Sequence, residues 1–252
     1  MSKQFLKKVK IINYLINPIK LNELLDFIFI KRKNRYICVS NVHSCLESYF
    51  NPKFKIAHNS SDLAIPDGRP IFWALKLLGY KNIDHLPGYF ITKKICEISV
   101  KKKYKIGFFG STSSNLKKIK FNLEKEFNGL KIDFIYSPPF MKNIDRMKLN
   151  FVKEVNKRKI DILFVCLGCP KQELWMFKNK NKVNSTMLGI GAAADFLSGN
   201  KLLPNKFFEF LGLAWLIRLI TEPRRLFWRY FSTNFLFIFL FFLQITGLKK
   251  FK

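Results

Sequence analysis

Short apolar runs alternate with amphipathic stretches through the middle of the chain. The apolar runs have the length of strands, and the stretches between them place apolar residues at helical spacing. The predicted strands are 105–110, 131–136, 161–167 and 186–190. The predicted helices between them are 113–127, 145–158 and 171–179. Because the strands are uniformly apolar and separated by helices, they predict an α/β fold: a Rossmann-like, mostly parallel sheet with helices on both faces.

The first hundred residues follow a less regular pattern. It predicts strands at 36–41 and 63–65 and helices at 43–49 and 70–78. We expect this half to pack against the same sheet or to extend it. A ligand crevice is then expected at the carboxyl ends of the strands.

The character of the chain changes after residue 200, which predicts an α/β domain over 1–200 and a helical appendage over 201–252. An aromatic-rich helix is predicted at 207–221, and Pro223 suits the first turn of a second helix. The apolar run at 235–243 would span only about 14 Å as a helix, roughly half of a bilayer core. With arginines clustered before it, this run favours a helix lying in the plane of an anionic membrane surface. A spanning helix and an ordinary core or oligomer helix remain alternatives.

The chain is strongly basic, with 45 Lys and Arg against 17 Asp and Glu in 252 residues, a net charge of +28. This charge indicates an anionic partner: nucleic acid, an acidic membrane surface or a phosphorylated substrate. A hydrophobic fraction of 48% excludes wholesale disorder. The five scattered cysteines do not resemble a disulfide scaffold, and the lone pair Cys166 and Cys169 lacks the second ligand pair of a zinc site. We therefore expect no metal and no cofactor. The first 16 residues contain no signal-peptide run, which predicts a cytoplasmic protein.

Two polar residues follow predicted strands in the first half. Asp67 lies between Pro66 and Gly68, at a strand end that should face the crevice, where an acid can serve as a general base. The alternative is that Asp67 caps the helix that opens near Pro70. Asn41 ends the preceding strand and is placed either to bind a sugar hydroxyl or to cap a turn or helix.

Two glycine-containing turns follow strands in the second half. Residues 167–173 lead from a buried strand into a helix, and Lys171 at that helix start suits a diphosphate. Residues 189–196 superficially match a dinucleotide-binding G-x-G-x-x-A pattern. No later strand supplies the acid that would bind the ribose, so we interpret this turn only as a site of close backbone approach to a ligand. The alternative for both turns is an ordinary solvated loop.

Taken together, these segments resemble the WecG/TagA/CpsF family of bacterial glycosyltransferases. The matching segments are, in order, 41–43, 65–70, 107–110, 136–140, 167–173, 189–196, 212–219 and 222–226. The resemblance implies an inverting, metal-independent transfer of a sugar to a lipid-linked acceptor. The donor would be a UDP-sugar with an N-acetylmannosamine-like group, or another hexosamine or hexuronic sugar. The acceptor would be an undecaprenyl-diphosphate-linked saccharide used in cell-surface polysaccharide synthesis.

The resemblance also implies roles for particular residues. Asp67 is the expected general base. Substrate binding is expected of Asn41, Arg69, Gly110, Lys171, Gln172, Gly189, Gly191, Asp195, Arg218 and Arg225. The C-terminal arginines are expected to close over the nucleotide and to dock on the inner face of the plasma membrane, as in a peripheral membrane protein.

The chain departs from the family pattern at two places that bear on the substrate. Val39 stands where many relatives have threonine, and 85–90 reads His-Leu-Pro-Gly-Tyr-Phe where Arg-Val-x-Gly-x-Asp is usual. Two other functions stay open: a non-catalytic scaffold of a membrane-associated glycan assembly complex, and a basic nucleic-acid-binding protein. The dispersed lysines and the absence of a nucleic-acid module weigh against the second, so we expect no nucleic-acid partner. The oligomeric state is not predicted.

Overall fold

The computed structural model describes residues 7–30, 34–139, 150–202 and 223–251. A six-stranded, wholly parallel sheet runs through the centre, with strand order β4-β3-β8-β7-β5-β6. Its strands are β3 (Arg35–Ser40), β4 (Leu63–Pro66), β5 (Ile106–Gly110), β6 (Ile132–Tyr136), β7 (Ile162–Cys166) and β8 (Thr186–Gly189). A separate antiparallel hairpin of β1 (Val9–Ile11) and β2 (Tyr14–Ile16) precedes it.

Ten helices are described. They are α1 (Leu21–Phe29), α2 (Val42–Phe50), α3 (Pro52–Asn59), α4 (Arg69–Leu77), α5 (Gly88–Lys102), α6 (Ser113–Glu126), α7 (Asn150–Lys157), α8 (Lys171–Asn179), α9 (Ala193–Leu197) and α10 (Pro223–Ile245). The last of these, α10, is the C-terminal helix; its described side chains begin at Ser232.

The sheet separates two hydrophobic layers, because successive side chains of a strand point to opposite faces. In β5, Phe109 packs with Phe151 of α7 and Trp175 of α8 on one face. Its neighbour Phe108 packs on the other face, in the layer that contains α1, α5, α6 and α9. The predicted fold, a parallel sheet covered by helices on both faces, is confirmed.

The C-terminal helix α10 packs against the body of the protein. Phe237, Leu240 and Phe241 are buried in the same layer as α2, α7 and α8. The Gln244 amide joins α10 to the hairpin, since its Nε2 donates to the Lys10 carbonyl at 2.9 Å and its Oε1 accepts from the Ile12 N–H. No helix in the described ranges combines the length and the apolar content needed to cross a membrane.

Most predicted elements agree with the structure to within two residues, but three helices of the first half were missed. These are α1, α3 and α5. The predicted helix at 145–158 lies partly outside the described residues, and the one at 207–221 lies wholly outside them. The boundary between two domains at residue 200 stays a prediction, because residues 203–222 are also outside them.

Candidate active site

A cleft of about 540 Å³ opens at the carboxyl ends of β3, β4, β7 and β8. This is where an open parallel sheet is expected to bind its ligand. The helices that follow three of these strands, α2, α4 and α8, begin at the same edge. Their N-termini bring partial positive charge and backbone N–H groups to the cleft, which favours an anionic ligand such as a diphosphate.

Asp67 lines the cleft directly after β4. Its backbone N–H donates to the Ser40 carbonyl at 2.9 Å, which fixes the turn against the end of β3. Its Oδ1 accepts from the Gly88 N–H at 2.8 Å. The interpretation of Asp67 as a cap of α4 is wrong: Gly68 occupies the N-cap position and no side chain caps that helix. The acid contacts the first residue of α5 instead and faces the cleft.

His85 also lines the cleft and contacts the same turn. Its ring Nε2 donates to the Asp67 carbonyl, and Arg69 and Phe72 lie beside it. Burial lowers the pKa of His85 to about 4, with a further contribution from the Arg69 charge. His85 is therefore a neutral hydrogen-bond donor at neutral pH.

Asn41 both caps a helix and lines the cleft. Its Oδ1 accepts from the Ser44 N–H at 3.2 Å, and Ser44 Oγ accepts from the Asn41 N–H at 2.9 Å. The two roles weighed from the sequence are thus compatible. Within the described ranges the Asn41 Nδ2 group makes no hydrogen bond, so it is available to donate to a ligand oxygen.

The first turn of α8 contributes two buried polar side chains. Gln172 is 3% exposed and Glu173 is 1% exposed, and both border the cleft. Gln172 Nε2 donates to Glu173 Oε1 at 2.8 Å and to the Gly189 carbonyl at 3.1 Å. Burial raises the pKa of Glu173 to about 7.

Residues 9–251 match the glycosyl transferase WecG/TagA/CpsF family. The chain belongs to this family. It is 26% identical to the N-acetylglucosaminyldiphosphoundecaprenol N-acetyl-beta-D-mannosaminyltransferase of Bacillus spizizenii over 200 residues, which cover 79% of the chain and 75% of that relative. It is 24% identical to the protein of the same name from Staphylococcus aureus NCTC 8325 over 169 residues, which cover 67% of the chain and 65% of that relative.

In this glycosyltransferase the cleft brings together most of the predicted site residues. Those that line it are Asn41, Asp67, Arg69, Gln172, Gly189, Gly191 and Asp195. Asp195 is held from two sides: its Oδ2 lies 3.4 Å from Lys201 Nζ, and its Oδ1 accepts from Asn115 Nδ2 at 3.4 Å. The first and second halves of the chain therefore contribute to one site.

Four predicted residues are not placed in the cleft. Lys171 is exposed at the start of α8 and does not line it. Gly110 does not line it either; its φ of +100° turns the end of β5, and the next residue, Ser111, reaches the cleft. Arg218 lies outside the described residues, and the described side chains of α10 begin after Arg225.

Several cleft residues were missed by sequence reasoning. Lys201 adds a cation next to Asp195, and Tyr89 follows Gly88 at the start of α5. Thr233 and Asn234 reach the cleft from α10. The sequence does contain an indication of Thr233 and Asn234, because they are polar residues next to a long apolar run in a helix.

The five cysteines of the chain are all free thiols. Among the described residues, no three His, Cys, Asp or Glu side chains are grouped as a metal site requires. Burial raises the pKa of the Cys166 thiol well above its usual value, so this cysteine stays protonated.

Proposed function

We propose that this glycosyltransferase moves N-acetylmannosamine from a UDP-sugar to N-acetylglucosaminyl-diphospho-undecaprenol, with inversion at the anomeric carbon. The family match and the names of the two relatives support the reaction and the acceptor. One structural observation carries the proposal: an acid, Asp67, lies in a cleft that also receives the N-termini of three helices. The product would serve cell-surface polysaccharide synthesis.

In the proposed mechanism Asp67 is the general base. It removes the proton of the acceptor hydroxyl as that oxygen attacks the anomeric carbon of the donor. The bond between the anomeric carbon and the UDP oxygen breaks on the opposite face, and its electron pair leaves with the diphosphate. The hydrogen bond from Gly88 N–H fixes the carboxylate for this role.

The leaving diphosphate needs positive groups around it. Arg69 and Lys201 line the cleft, and the helix N-termini add partial charge. We propose that Arg218 and Arg225 complete this set, and that these groups replace a divalent cation. Asn41 Nδ2 and Gln172 are proposed to contact the transferred sugar.

The acceptor is a lipid in this proposal, so the enzyme must work at a membrane surface. Exposed apolar side chains recur along one face of α10: Phe235, Ile238, Phe239, Phe242 and Ile245. Their spacing places them on the side opposite the buried Phe237, Leu240 and Phe241. We propose that this outer face lies on an anionic leaflet, with lysines near the chain end adding electrostatic attraction. The expected location is the cytoplasmic face of the plasma membrane.

The experiment that tests the proposal is a donor screen with the full-length enzyme. A short-chain polyprenyl-diphosphate-GlcNAc acceptor is supplied with a panel of UDP-sugars, and UDP release is followed. Release with UDP-N-acetylmannosamine that depends on the acceptor is the expected result. Release with another donor alone would support the reaction class but contradict N-acetylmannosamine as the transferred sugar. No release with any donor would favour the non-catalytic scaffold.

A further inference from the structure

Glu173 is buried in a position where an acid is usually exposed. It lies in the first turn of α8, where a carboxylate ordinarily faces solvent and favours the helix dipole. In this chain α8 packs against β3 and β8, and only 1% of the surface of Glu173 is exposed. Burying a carboxylate is unfavourable unless hydrogen bonds or an opposite charge compensate for the water it loses. The raised pKa of Glu173 reflects that burial, with the nearby Glu47 adding to it.

The hydrogen-bond partner of Glu173 is the Gln172 side-chain amide. Gln172 Nε2 has two hydrogens and two acceptors, Glu173 Oε1 at 2.8 Å and the Gly189 carbonyl at 3.1 Å. A carbonyl can only accept, so the nitrogen of the amide must face Gly189, and the oxygen must face the other way. The carboxylate supplies the second acceptor and so holds the amide in this one orientation.

The orientation leaves the Gln172 oxygen without a donor. Oε1 is buried and makes no hydrogen bond in the described portion of the chain. It lies beside the Gly191 turn, where an added Cβ would stand 3.2 Å from Oε1 and 3.6 Å from Gly168 Cα. Gly168 and Gly191 both line the cleft, and neither has a side chain that would cover the oxygen. A buried acceptor without a partner is rare in proteins and calls for a donor from water or a ligand.

We propose that Glu173 is a positioning residue, which fixes the Gln172 amide so that its oxygen accepts a hydrogen bond from a hydroxyl or amide N–H of the bound sugar. This inference rests on the proposed function for the identity of the ligand as a sugar. It adds that this end of the cleft selects a hydrogen-bond donor on the bound sugar. A carboxylate at the same place on the sugar would face the Gln172 oxygen, which is another acceptor, so a uronic acid donor is disfavoured there.

The test compares two substitutions of Glu173 in the full-length enzyme. Glu173→Gln keeps an acceptor oxygen for Gln172 Nε2 and should retain kcat/KM within about threefold, whereas Glu173→Leu removes the acceptor and should lower it about 10- to 100-fold. Leucine fills a buried position without a charge, so the midpoint of thermal unfolding should not fall. Asn179→Leu changes another buried polar residue of α8 that does not line the cleft, and it should leave kcat/KM unchanged. If Glu173→Leu fails to fold, Glu173→Met repeats the comparison.

A second readout does not depend on turnover. The side-chain amide protons of Gln172, assigned by their loss in Gln172→Leu, should exchange with solvent faster in Glu173→Leu than in wild type or Glu173→Gln. Equal kcat/KM and equal exchange in Glu173→Leu and wild type would overturn the positioning role. A wild-type enzyme without transferase activity would overturn the proposed function instead, and the exchange measurement would still decide the role of Glu173.

Discussion

Asp67 Oδ1 accepts a hydrogen bond from the Gly88 N–H at 2.8 Å, which ties the acid after β4 to the first residue of α5. The contact has two consequences. It keeps the carboxylate at one place in the cleft, and it makes Oδ1 contribute to the stability of the local fold. The chemical and structural roles of Asp67 can therefore be separated by substitution.

We expect Asp67→Asn to fold normally and to lose activity. The amide oxygen of asparagine can still accept from Gly88, so the midpoint of thermal unfolding should stay unchanged. The amide cannot accept the acceptor's proton, and turnover should fall by about 10²- to 10⁴-fold. UDP release measures the effect. Asp67→Ala is the matched control, because it loses both roles and should also unfold at a lower temperature. Equal turnover by Asp67→Asn and wild type would exclude Asp67 as the base.

We expect Asn234→Ala to weaken substrate binding. Asn234 reaches the cleft from α10, and losing one hydrogen bond to the substrate should raise KM about three- to tenfold with a smaller change in kcat. Steady-state kinetics with varied acceptor and varied donor will show which substrate it contacts. Ser232→Ala is the control, since Ser232 is exposed on the same helix and does not line the cleft. The same KM for both substrates in wild type and Asn234→Ala would contradict the prediction.

We expect Gly110→Ala to destabilise the protein. Gly110 has a φ of +100°, and an added Cβ would lie 2.7 Å from the backbone carbon of Cys166. The strain and the contact with a neighbouring strand should lower the free energy of unfolding by about 2 kcal/mol or more. Gly129→Ala is the comparison, because its φ is +83° but its nearest atom, Val100 Cγ1, is 3.4 Å away. Chemical denaturation measures both, and an equal loss would show that the close contact has no effect.

We expect the double substitution Phe239→Ser and Phe242→Ser to abolish binding to vesicles. These side chains are 50% and 53% exposed, so replacing them removes apolar area from the proposed membrane surface without opening the core. Flotation with phosphatidylglycerol-containing vesicles measures the effect. Phe121→Ser on α6 removes another exposed phenylalanine, 66% exposed, and should leave flotation unchanged. Undiminished flotation of the double variant would place the membrane contact elsewhere.

We expect the stability difference between Glu173→Gln and wild type to depend on pH. The raised pKa of Glu173 means that the folded state holds its proton more tightly than the unfolded state does. Its contribution to stability is therefore present below about pH 4.5 and is lost as pH rises through about 7. Glutamine does not titrate. The free energy of unfolding of Glu173→Gln, relative to that of wild type, should therefore rise by about 2 to 3 kcal/mol between pH 5 and pH 8. Denaturation midpoints across this range check it, and a constant difference would contradict it.

The central elements were predictable because their patterns are simple. In β5 and β7 every residue is buried, and the sequence shows this as short apolar runs. The helix α6 was predicted over 113–127, and the side chain of Thr112 caps it. By contrast, α5 was missed because Pro87 and Gly88 suggest a break and lysines interrupt its apolar spacing. Its burial depends on contacts with distant elements, which local patterns do not report.

The candidate site was predictable in part. Asp67 and Asn41 stood out because they follow predicted strands, and the sheet order then brings them to one edge. Gln172 was found only through the family resemblance. Glu173 was missed, since an acid in the first turn of a helix is ordinarily a surface residue. Lys201 was missed because its position next to Asp195 arises from the turn after α9, not from any motif.

The last strand of the sequence, β8, lies in the middle of the sheet, between β3 and β7. Before β8 is added, the pair β3–β4 and the group β5–β7 have no hydrogen bonds with each other. Asp67 belongs to the first group and Gln172 follows the second. During synthesis hydrogen bonds can therefore join these two groups of strands into one sheet only after residue 189 has left the ribosome. Until then the nascent chain carries two unpaired inner strand edges, which makes this interval the one in which a chaperone would protect it most.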